Sequence, residues 1–131
     1  SEFTIKSNNS DLCLRLTNVK GDYFTAQVIS NRLSAHISVW AYSDSYGFAD
    51  FFDWLAIQDK PWDGEQCWQS LEGEFKVAAT CSSLGVIMFK VYFEHFGDDE
   101  DWKIETEIRS EMGQMPELAR TARIFFGKSP V

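Results

Sequence analysis

Carboxylates are the side chains of this chain with the most chemistry to offer. Asp63, Glu65, Glu72 and Glu74 crowd into one stretch, Trp62-Asp63-Gly64-Glu65-Gln66-Cys67-Trp68-Gln69-Ser70-Leu71-Glu72-Gly73-Glu74-Phe75, between a helical pattern and a strand pattern. A pair of carboxylates is the machinery of glycoside hydrolysis. Glu72 and Glu74, read as one face of a strand, would stand roughly 7 Å apart at the usual rise. That reaction also needs a sugar cleft, and a small domain with no readable lid offers none, so no enzyme is expected. Asp98, Asp99, Glu100 and Asp101 form a second acidic run. It lacks the alternation and the glycine of an EF-hand loop, and a solvated hairpin tip explains it better than a metal site. No cofactor is expected either. His36 and His95 stand in no HExxH or HxH spacing and read as ordinary strand residues. Cys13 with His36 carries no cysteine-peptidase signature, and no P-loop, GxGxxG or GxSxG is present.

What acids beside large aromatics do well is bind another protein. Indoles favour burial with the N–H satisfied, whereas carboxylates favour water or a cation. The formal net charge is −8 over 131 residues, and residues 44–111 hold sixteen acidic against five basic groups. The segments on either side are slightly positive, so the whole excess lies in the middle. Free nucleic acid and anionic membranes are excluded as partners, because phosphate binding needs a basic face. An acidic field can steer a basic protein toward contact, while the plainer reading is that it only maintains solubility. Three cysteines without a CxxC, no signal-peptide pattern and no 18-residue apolar run fit a reducing cytoplasm.

The elements that must position these acids follow from periodicity. Phe3 and Ile5, then Leu12, Leu14 and Leu16, then Phe24, Ala26 and Val28, then Ala35, Ile37, Val39 and Ala41 recur at every second residue. The connections are too short for crossovers, so an antiparallel meander is expected, with a turn over residues 18–22. Beyond Asp44 the period changes. Phe48, Phe51, Phe52, Leu55 and Ala56 make one helical stripe, capped by Asp44 or Ser45 and stopped by Lys60-Pro61. Asp50, Asp53, Asp59 and Trp54 fall off that stripe; Trp54 is thus an exposed aromatic or packs under the next loop. Strands return with Phe75, Val77 and Ala79, with Ile87, Phe89, Val91 and Phe93, and with Trp102, Ile104, Thr106 and Ile108. Pro116 opens a final helix with Leu118, Ala119, Ala122, Phe125 and Phe126 inward and Arg120 and Arg123 outward. The expected fold is α+β in a single domain over residues 1–131: a twisted antiparallel sheet of about six to seven strands with two helices on one face.

The Trp62-Asp63-Gly64-Glu65 and Trp68-Gln69-Ser70-Leu71-Glu72-Gly73-Glu74-Phe75 motifs, with Leu84-Gly85-Val86 after them, resemble a bacterial family of small proteins. Some of its members are immunity proteins of the wall-associated (WapI-like) toxin type. Phe51-Phe52-Asp53-Trp54-Leu55-Ala56, Trp102 and Leu118-Ala119 also fit, and the likeness spans about residues 1–127. Where such sequences commonly carry Gly-His-Val, this chain has Gly85-Val86-Ile87, which removes that histidine from any catalytic role. The resemblance implies a cytoplasmic antidote, without a cofactor, that blocks the toxin domain of a contact-dependent or related interbacterial system. It transfers no binding residues. Interfaces in such families diversify, so the shared Trp62, Gly64, Trp68, Leu71 and Gly73 are expected to be scaffold.

The expected function is therefore an immunity protein that covers the active site of a basic toxin domain, such as a nuclease, with an acidic surface. The expected toxin-binding residues are Asp59, Asp63, Glu65, Asp98, Asp99, Glu100, Asp101 and Trp54. The alternative is a non-catalytic interaction or small-ligand-binding module with Trp54 or Trp62 lining a pocket.

Overall fold

Alternating apolar residues build the strands, and each sheet turns one apolar face to a shared core. The computed structural model describes residues 1–41 and 47–128. Strands β1 (Phe3–Lys6), β2 (Cys13–Lys20), β3 (Tyr23–Ile29) and β4 (Ser34–Trp40) form one antiparallel meander in chain order. Helix α1 (Gly47–Ala56) follows. Strands β5 (Gln66–Gln69), β6 (Phe75–Cys81), β7 (Val86–Phe96) and β8 (Asp101–Glu111) form a second meander. A 3-10 turn at Met112–Gln114 leads into helix α2 (Met115–Phe126), with proline in its first turn.

The α+β class is as expected, but the sheet is corrected. There are eight strands in two four-stranded sheets, not six to seven in one. The strand absent from the periodic reading is β5. It is four residues long and buries one large apolar side chain, Trp68, so it offers almost no alternation. The β1–β2 turn ties the first sheet to β8 of the second, where the Asn8 N–H donates to the Arg109 carbonyl at 2.9 Å and the Arg109 N–H to Ser7 Oγ at 3.1 Å. The expected turn at residues 18–22 is tighter than the sequence pattern implied. β2 runs on to Lys20 across a register shift after Thr17, with Asn18 at φ 56°. The expected caps Asp44 and Ser45 lie outside the described residues.

The core is mainly phenylalanine. Phe48 of α1 lies 5.2 Å from Phe3, 5.0 Å from Phe52, 5.1 Å from Trp68 and 6.0 Å from Phe75, ring centroid to centroid. One side chain thus touches β1, β5 and β6, and Phe24 of the first sheet reaches Phe75 of the second at 6.2 Å. Burying such a ring contributes about 3 kcal/mol.

The helices are tied by charge as well. Arg123, expected to face outward, is half-buried and pairs with Asp53 at 2.5 Å. Gly127 caps α2 in the left-handed region, φ 71°, where a Cβ would be strained. That turn returns Lys128 onto α1, against Asp50 and, at 3.3 Å, Asp53. Two of the sixteen acids in the middle segment are therefore spent on holding α1 to α2. Among the described residues no helix is long and apolar enough to cross a membrane.

Candidate functional site

The register of the second sheet separates the expected acidic residues into two groups. Gln66 faces Ala79, which faces Phe89, so Glu65 stands near the level of Thr80 and Met88. The β7–β8 tip begins after Phe96, some eight residues further along β7. At the usual rise the two groups are about 30 Å apart along the strands. Asp59, Asp63 and Glu65 lie in the α1–β5 connection. Asp98, Asp99 and Glu100 lie in the tip, and Asp101 opens β8. All seven are exposed, but they do not form one surface.

At the α1–β5 connection the aromatics point inward. Trp54 is half-buried and meets Trp62 edge-on at 5.5 Å, and both rings pack on the core. Trp54 thus packs under the following loop instead of standing free. Its carbonyl accepts from Gln58 Nε2 at 2.9 Å, closing the end of α1. Cys67, on the outer face of β5, donates to Glu65 at 3.4 Å. Desolvation raises the Cys67 thiol pKa, and the hydrogen bond and charge of Glu65 raise it further, against a smaller lowering by Lys76.

The β7–β8 end is built differently. Along β7, Ile87, Phe89, Val91 and Phe93 point into the core, and the same parity carries His95 onto Trp102 of β8, stacked at 5.5 Å and 29°. The opposite parity puts Phe96 outward, 69% exposed. The tip closes with the Gly97 N–H on the Glu100 carbonyl at 3.1 Å and on Asp101 Oδ1 at 3.3 Å. A Cβ on Gly97 would fall 2.7 Å from His95 Nε2, so glycine lets the imidazole fold beneath the tip. The acids at the tip are therefore presented on a braced hairpin.

The β5–β6 turn joins this end. Glu72 and Glu74 are not a strand pair, as the spacing had implied, because β5 stops at Gln69 and β6 starts at Phe75. Glu74 accepts from the Ser70 hydroxyl and, at 3.4 Å, from the Trp40 N–H, so it holds β4 against the start of β6. Ile37, Ser38, Glu72, Glu74, Glu94, His95 and Phe96 line a crevice of about 230 Å³. Glu94 also pairs with Lys103 at 3.5 Å. Leu71 at the crest of the turn is 45% exposed, whereas Trp68 is buried and Trp62 half-buried.

Two larger cavities lie elsewhere. One of about 580 Å³ lies on the outer face of the second sheet around Lys76, Tyr92 and Glu105, and one of about 410 Å³ lies between β1 and the start of α2, around Thr4, Ser110 and Gln114. Neither is lined by Trp54 or Trp62. Among the described residues no three His, Cys, Asp or Glu side chains gather closely enough to hold a metal ion.

Phe96, Leu71 and the open edge of β4 join the candidate site only in the folded chain. Parity along β7 contains the signal for Phe96, since it stands three residues beyond the inward Phe93. No curated protein and no solved structure matches the chain. A family model does match it over residues 5–129, nearly its full length, and the chain belongs to that family, DUF6228, a family of unknown function.

Proposed function

We propose that this protein is an immunity protein that binds a basic toxin domain and blocks it, with the β7–β8 end of the second sheet as the contact surface. One observation carries the reading. Asp98, Asp99, Glu100 and Asp101 stand exposed on a braced hairpin directly beside an exposed phenylalanine, Phe96, with Leu71 and Glu72 on the neighbouring turn. Carboxylates steer and select a basic partner, and an exposed ring beside them fills a pocket in it. Net charge of −8 supports the same direction of steering. So does the resemblance of the Trp-to-Leu-Glu-Gly segment to antidote sequences. The second acidic group, Asp59, Asp63 and Glu65, contributes to the long-range field and makes no contact, because its aromatics are turned inward.

The test is a pull-down with the polypeptide encoded immediately upstream of this chain's gene. The reading predicts a salt-sensitive 1:1 complex with a basic C-terminal domain and loss of that domain's toxicity on binding. A neighbour that neither binds nor harms cells removes the antidote reading.

A further inference from the structure

The backbone of β4 points to a mode of contact. The β3–β4 turn is closed by the Ser30 N–H on the Leu33 carbonyl at 2.8 Å. From that pair the ladder alternates, so Ala35, Ile37 and Val39 bond to β3 opposite Val28, Ala26 and Phe24. The N–H and C=O groups of Ser34, His36 and Ser38 then point away from the sheet. Two independent bonds agree with this phase. The Ala41 N–H turns to the Asp22 carbonyl on the β3 side at 2.7 Å, and the Trp40 N–H turns outward to Glu74. Among the described residues nothing bonds to the outward groups of Ser34, His36 and Ser38.

Exposed sheet edges are ordinarily short, bulged, or guarded by lysine or proline. The far edge of the second sheet follows that rule, since β5 has four residues. β4 has seven, Ser-Ala-His-Ile-Ser-Val-Trp, with a regular register and neither lysine nor proline. Glu74 closes the edge at Trp40, and among the described residues it is open from Ser38 to Ser34, over about 14 Å. The open stretch starts at the crevice lined by Glu72, Glu94 and Phe96. A second copy of this chain would bring its own acidic crevice against the first, so the charge favours a basic occupant.

We propose that the free edge of β4 accepts an extended, lysine- or arginine-bearing segment of the partner protein as an added strand, with Glu72, Glu94 and Phe96 receiving its side chains. The proposal deepens the antidote reading and rests on it only for the identity of the partner.

The experiment titrates the full chain by NMR with a capped octapeptide alternating Lys and Thr at low salt. Controls are a Glu-Thr counterpart and a Lys-Thr peptide N-methylated at alternate amides. The expected result is slowed amide exchange at Ser34, His36 and Ser38, with binding at least about tenfold weaker for the N-methylated peptide, which has lost the ladder donors. The double variant E72K/E94K is expected to weaken binding by about the same factor while leaving the unbound spectrum of the core unchanged. Equal binding of the N-methylated peptide, no binding of the Lys-Thr peptide, or protection of the same amides by self-association without peptide would each overturn strand addition. None of these outcomes bears on the pull-down, which tests the antidote reading by itself.

Discussion

The chain carries two acidic clusters with aromatic neighbours, and they are opposites in construction. Around Asp59, Asp63 and Glu65 the rings of Trp54 and Trp62 turn inward onto each other and the core, so the carboxylates decorate the outside of a structural joint. Around residues 98–101 the strand parity that buries Phe93 turns Phe96 out to water, and His95 on Trp102 braces the hairpin from within. Composition does not distinguish the two. What distinguishes them is the direction of the rings and the presence, at the second site only, of the neighbouring open edge of β4. On the proposed reading the first cluster adds only to the overall field, and the second, with an outward ring and unused backbone beside it, is the contact surface.

The sharpest way to break this comparison is charge reversal in matched sets. Changing Asp98, Asp99, Glu100 and Asp101 together to Lys cancels the formal net charge. It should slow association with a basic toxin domain by about a hundredfold at low salt, read by stopped flow. Reversal of Asp59, Asp63 and Glu65 should slow it by no more than about threefold, through the long-range field alone. Equal effects would erase the distinction between the clusters. Ring truncation comes next. Phe96→Ala should weaken the complex by about 2 kcal/mol with little change in folding stability. Trp54→Ala should do the reverse, leaving affinity intact and lowering the urea midpoint by the equivalent of about 3 kcal/mol.

A smaller effect tests where the other acids are spent. Asp53→Ala removes the carboxylate shared by Arg123 and Lys128 and should cost about 1–2 kcal/mol of stability without altering binding. Asp50 first, then Asp53, raise the Lys128 ammonium pKa above its ordinary value. A raised folded pKa gives stability that is present in full below the unfolded value, near 10.4, and is lost as pH rises through the folded one. Chemical denaturation from neutral pH upward should therefore show an alkaline decline that Lys128→Met reduces. The smallest expected change is at Cys67. Burial and Glu65 hold its thiol up, so Glu65→Gln should speed its alkylation near pH 8 by about twofold, because more thiolate is present. The rate in the wild-type chain should not change when the toxin domain binds.

Much of the fold was legible in the sequence. Tyr23–Ile29 alternates cleanly, the Phe48-to-Ala56 stripe gives α1, and Pro116 marks the start of α2. β5 was not legible, because a four-residue strand with polar neighbours has no period to detect. Its absence lowered the strand count by one, and the division into two sheets was not legible because it depends on which strands pair. Arg123 was placed outward because helical spacing does not reveal that a second helix carries Asp53 opposite it. Of the site, the tip acids were legible as a charged hairpin. Their separation from Asp63 and Glu65 was not, since it depends on which strands pair and in what register. The open edge of β4 was likewise invisible, because a strand becomes an edge only through the order of the sheet.

Amide hydrogen exchange on the complex of this chain with the toxin domain encoded beside it locates the contact surface. Protection is expected to concentrate in residues 94–102, in the turn at residues 70–74 and along Ser34, His36 and Ser38, with residues 59–65 unchanged. Protection centred on residues 59–65, with the β7–β8 hairpin exchanging as it does in the free protein, would contradict it.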